Sequence, residues 1–118
     1  MKIPVNRLLV PTLSADGKPR KPHHIAYTDW GDRENPHVVI CVHGLTRNCR
    51  DFDYLAHALQ TDCRVICVDV VGRGQSDWLQ EAQDYEYYPL YLSDAIALLN
   101  YLKSQYTTAI VLDWVGIS

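Results

Sequence analysis

No apolar run in this sequence is long enough to span a membrane. Its first eleven residues offer only Leu8-Leu9-Val10 as an apolar stretch, too short for the core of a secretory signal. Cytoplasmic residence is therefore the expectation, with no membrane among the partners. Strong basic clustering is lacking too. Net charge is −3, and the longest basic cluster, Lys18-Pro19-Arg20-Lys21, is broken by one proline and followed by another. It reads as a solvated loop, so nucleic acid is not expected as a partner. None of the four cysteines, Cys41, Cys49, Cys63 and Cys67, stands in Cys-x-x-Cys spacing, which leaves zinc and dithiol redox readings without support; neither metal nor cofactor is expected. Internal repeats and low-complexity tracts are also missing.

What is present has the rhythm of an α/β domain. Residues 1–24 carry Pro4, Pro11, Gly17, Pro19 and Pro22 and leave room for a short first strand around Leu8 to Leu13. Ile25 to Trp30 alternates apolar and polar residues, the period of a half-buried strand. Val38 to Val42, Arg64 to Val70 and Thr108 to Val115 are apolar and β-branched on both faces, as in strands covered from two sides. Between them the period changes. Phe52, Leu55 and Leu59 predict a helix over 50–60 with Asn48 or Asp51 as its cap; Leu92, Ile96, Leu99 and Leu102 predict another from Pro89 to Lys103. Strand, helix, strand, helix, strand is the order of a parallel sheet with helices on its faces. The expectation is one α/β domain over 1–118, mostly parallel, with two main helices.

Three landmarks close the three apolar strands, at the ends where an open α/β sheet places its site. His43-Gly44-Leu45-Thr46 follows the first. Glycine permits a sharp exit there, and backbone N–H groups such as that of Leu45 are left to face an oxyanion; the His43 imidazole shapes the loop. Asp69-Val70-Val71-Gly72-Arg73-Gly74-Gln75-Ser76-Asp77 follows the second. A dinucleotide fingerprint would need a third glycine where Asp77 stands, and a P-loop would need Gly-Lys-Ser/Thr. The stretch reads instead as a tight loop beside the site, with Ser76 and Asp77 bonded to backbone. Gly116-Ile117-Ser118 follows the third. A lone Gly-x-Ser means little, but directly after a buried strand it has the context of a nucleophile elbow.

In order and spacing the three pieces resemble the α/β-hydrolase fold family, from about Tyr27 onward. The resemblance implies the second to fifth strands of that fold, an oxyanion loop at His43, Gly44 and Leu45, an elbow at Gly116 and a nucleophile at Ser118. Serine there, rather than aspartate, argues against dehalogenases and epoxide hydrolases. It implies a serine-dependent hydrolase of small ester, thioester or related carbonyl substrates. The family's acid and histidine follow the serine, so the chain reads as the N-terminal half of such a domain, inactive by itself. Its last strand would then lie at a sheet edge, open to self-association. The alternatives left open are a non-catalytic interaction fragment on the same scaffold and an acyltransferase or haloperoxidase of the same fold.

Overall fold

The computed structural model describes residues 3–44 and 47–116. Two strands with apolar residues on both faces form its centre, β3 (His37–Val42) and β4 (Arg64–Val68). Alternation sends Val38, Ile40 and Ile66 to one face of the sheet and Val39, Cys41, Val65 and Cys67 to the other. Each fully buried Ile or Val is worth about 1.5–3 kcal/mol of burial free energy. The two strands pair in parallel, in register from Val38 opposite Arg64 to Val42 opposite Val68.

Between them the chain makes a 3₁₀ turn (Cys49–Phe52) and the short helix α1 (Asp53–Leu59). The Asn48 side chain accepts the Arg50 N–H at 2.9 Å and so caps the turn. Phe52 and Ala56 bury the inner face, while Leu55, expected in the apolar stripe, is 38% exposed. Helix α2 (Tyr88–Ser104) starts with Pro89 in its first turn and lies on the opposite face. Its buried positions are Leu90, Asp94, Leu98 and Leu102; Leu92 and Ile96, expected inside, are 63% and 49% exposed.

Strands β1 (Val5–Val10), β2 (His23–Trp30) and β5 (Val111–Gly116) complete one sheet of order β1-β2-β4-β3-β5. The β4–β3 and β3–β5 pairs are parallel; β1–β2 and β2–β4 are antiparallel. The expectation of a mostly parallel sheet is corrected to an even mixture. Helical crossovers join only β3 to β4 and β4 to β5, which makes these three strands parallel, and β2 arrives with no helix before it. These two crossovers step across the sheet in opposite directions. With both right-handed, their helices must lie on opposite faces of the sheet, as α1 and α2 do.

The N-terminal segment is tied down rather than free. Asp84 accepts from the Ala15 N–H and from Arg20 Nε, each at 2.9 Å, joining residues 15–20 to the 3₁₀ turn Ala82–Glu86. Among the described residues no helix is long and apolar enough to cross a membrane.

Candidate active site

Val42 ends β3, and His43 follows, buried and bonded at both ring nitrogens. Its Nε2 accepts the Val70 N–H at 2.9 Å, which leaves the ring proton on Nδ1 to meet the Gly44 carbonyl at 2.5 Å. An imidazole occupied on both sides shapes the loop and has no free nitrogen for proton transfer. Gly44 O also accepts the Arg47 N–H at 3.2 Å. Leu45, the expected oxyanion donor, lies outside the described residues.

Asp69 leaves β4 as a buried carboxylate surrounded by backbone donors. Oδ1 accepts the Cys49 N–H and Oδ2 the Gln75 N–H, both at 2.8 Å. Gly74 makes this approach possible. Its φ is +54°, and a Cβ there would lie 2.3–2.4 Å from the Asp69 carboxylate atoms. Gly72, at φ +82°, similarly leaves room for the Tyr85 ring, 2.6 Å from where its Cβ would stand.

Ser76 is consumed by this packing. Its hydroxyl donates to Asp69 O at 2.6 Å and accepts the Ala26 N–H at 2.8 Å, so it offers no nucleophile. Asp77 reaches back to β2: Oδ2 accepts the His24 N–H at 2.7 Å and Oδ1 meets Arg7 at 2.5 Å. The His24 backbone bond, more than the nearby charges, holds the Asp77 carboxyl below the ordinary carboxylate range.

Gly116 closes β5 directly opposite Val42, the residue before His43. Gly116, the expected elbow glycine, and the exit of β3 are thus brought side by side. No described atom lies within 4 Å of a Cβ built on Gly116, so the described residues do not themselves demand glycine there. Ser118, the expected nucleophile, lies two residues further on, outside the described residues. An apolar cavity of about 180 Å³ borders these strand ends, lined among others by Val42, Val68, Leu98 and Trp114.

The cysteines offer no competing nucleophile. All four are buried in one cluster beneath α1. Burial, reinforced by the Asp69 charge, pushes the Cys49 thiol up to about 12; burial also raises Cys63. Cys41 and Cys67 face each other across β3 and β4, and this neighbouring of two thiols lowers the first and, with burial, raises the second. Among the described residues no group of three His, Cys, Asp or Glu side chains could hold a metal ion.

Two polar clusters escaped the sequence reading. His23 Nε2 contacts Asp94 Oδ2 at 2.9 Å, and its Nδ1 meets Thr12 Oγ1 at 2.6 Å. The Thr12 hydroxyl has one proton, which goes to Lys21 O at 2.7 Å, so this buried chain holds structure together and presents no reactive oxygen. Arg64 pairs with Asp29 through two bonds, at 2.9 and 2.7 Å, at the far end of the sheet. Each joins residues distant in sequence, and neither has a local signature.

No family model matches the chain. A 3-hydroxybutyrate-oligomer hydrolase of Cupriavidus necator is 48% identical over 96 residues, which is 81% of this chain and 31% of that protein. A solved Rickettsia typhi protein superposes with a TM-score of 0.83 at 28% identity, over 98% of this chain and 40% of its own. An α/β hydrolase from Novosphingobium aromaticivorans gives 0.67 at 31% identity, over all of this chain and 36% of its own. A haloalkane dehalogenase of Paraglaciecola agarilytica shares the fold with a TM-score of 0.67 at 24% identity. The described structure is the N-terminal part of an α/β-hydrolase fold. The chain spans less than a third of the curated hydrolase it matches.

Proposed function

We propose that the protein is a serine hydrolase of ester-type carbonyl substrates, with Ser118 as nucleophile and the loop at His43, Gly44 and Leu45 as one side of its oxyanion hole. The observation that carries this reading is the register setting Gly116 opposite Val42, so that the Gly-x-Ser segment continues from beside the exit of β3. Serine rather than aspartate at 118 supports acyl chemistry over the dehalogenase type. Ser118 Oγ attacks the carbonyl carbon, and the oxygen takes the negative charge as the tetrahedral intermediate forms. Backbone N–H groups then hold that charge, with Leu45 providing one donor and the residue after Ser118 the other. His23, His24, His37 and His43 are each engaged within the described structure, so none is assigned as the general base. We assign the acid and histidine to polypeptide beyond this segment. Short hydroxyacyl esters are the first substrates to try, on the likeness to the Cupriavidus enzyme.

The test is hydrolysis of 4-nitrophenyl butyrate and of a 3-hydroxybutyrate dimer by the protein expressed from its full reading frame. Ser118→Ala should lower kcat by about 10³-fold or more. Undiminished turnover by that variant would remove the serine reading.

A second reading, association through β5, is supported by that strand's place at a sheet edge with Val111 63% exposed. Sedimentation of the isolated chain tests it: a monomer at high micromolar concentration would end it.

A further inference from the structure

The segment between β3 and α1 is held at both ends by two consecutive residues of another loop. At its entry His43 Nε2 accepts the Val70 N–H at 2.9 Å; at its exit the Cys49 N–H donates to Asp69 Oδ1 at 2.8 Å. The bond from Arg47 N–H to Gly44 O lies between these ties. The carboxylate that makes the second tie is itself locked. Its other oxygen accepts the Gln75 N–H at 2.8 Å, Gly74 is packed against it, and it is almost wholly withdrawn from solvent. Its own backbone N–H is bonded to Ala26 O on β2 at 2.9 Å.

A carboxylate with both oxygens taken by backbone amides from two separate segments sets their relative position. It cannot turn toward one without releasing the other. A neutral side chain of the same size would supply at most one acceptor where two are needed. Buried and bonded in this way, Asp69 is not placed to touch a substrate.

We propose that Asp69 is a positioning residue for the hydrolase chemistry, holding with Val70 the His43 and Cys49 ends of the loop after β3, the loop assigned above to the oxyanion hole. This rests on the serine-hydrolase reading given above. It goes beyond that reading by tying transition-state stabilisation to a residue of the glycine-rich loop after β4. It also gives the motif a physical content: Asp69 makes the tie, and Gly74 lets the chain pass against it. Loss of one oxyanion donor costs about 10²–10³ in rate in a measured case, which bounds what its misplacement can do.

The experiment compares Asp69→Asn, Asp69→Ala and Ser118→Ala in the protein expressed from its full reading frame, reading kcat and KM for an ester together with amide exchange at Cys49 and Gln75. Asp69→Asn keeps the size and one acceptor, and it carries the test if the alanine variant does not fold. The expected result is a kcat at least tenfold lower with KM within twofold, the Asn variant lying between wild type and Ala, and exchange at Cys49 at least tenfold faster. A folded Asp69→Asn with wild-type kcat overturns the proposal while leaving the serine reading intact. So does a change confined to KM or to thermal stability, as a purely structural residue would give. Wild-type turnover by Ser118→Ala overturns the serine reading and this proposal with it.

Discussion

Strand β4 begins on a buried charge and is followed directly by another, and the two ends solve the same problem differently. At its start Arg64, fully buried, is met by a charge: both oxygens of Asp29, with the Tyr106 hydroxyl at 3.1 Å as a further partner. Burial by itself would make Arg64 easier to deprotonate, but Asp29 and Tyr106 outweigh it and hold the guanidinium above its ordinary range. At the strand's end Asp69 is met by backbone N–H groups. Pairing charge with charge fixes two side chains; pairing a carboxylate with amides fixes two stretches of main chain. The first arrangement suits the closed base of a sheet, and the second suits the end where loops must be placed.

The largest effect should come from breaking the base. Arg64→Met leaves Asp29 buried with its main partner gone and should cost about 3–5 kcal/mol in urea unfolding. Adding Asp29→Leu should recover most of that loss. If the single variant is as stable as the double, the base pair is not the determinant argued here. Gly74→Ala attacks the other end and should cost about 2 kcal/mol or more, from left-handed strain plus the clash with Asp69. If it leaves Cys49 amide exchange unchanged, the Asp69 carboxylate is not packed as described. Asn48→Ala removes the cap on the turn that follows the clamped segment, with an expected loss of about 1 kcal/mol by thermal unfolding.

The smallest effect is a slope with pH. Burial, opposed by the His23 bond, raises Asp94 above its ordinary value of 3.8. A folded-state value above the unfolded one contributes stability that is complete below the unfolded value and is lost as pH rises through the folded one. Unfolding midpoints of wild type and Asp94→Asn between pH 3 and 7 should therefore show the wild type losing ground to the variant as pH rises. A widening wild-type advantage over that range would mean that Asp94 is stabilised as a carboxylate.

The elements legible in the sequence were those with a local cause. Strands β3 and β4 announce themselves by apolar residues on both faces, and Pro89 and Asn48 mark helix starts. The stripe of α2 was misplaced because its true course runs through Asp94, a polar residue buried only because His23 arrives from β2 to meet it. Strand β5 looked doubly covered from its composition, yet most of its residues are exposed, while its place at an edge of the described sheet is the one the resemblance implied. The site divides in the same way. The glycines and Asp69 were visible as a motif, whereas the ties from Cys49 to Asp69 and from Val70 to His43 join segments 20 and 27 residues apart.

The central claim is that Ser118 is the reactive nucleophile of a hydrolase. Treating the protein expressed from its full reading frame with a fluorophosphonate and locating the adduct by peptide mass spectrometry tests it most directly. The account predicts one stoichiometric phosphonyl adduct on Ser118, absent after Ser118→Ala. Labelling at another residue, or none in protein that hydrolyses esters, would contradict it.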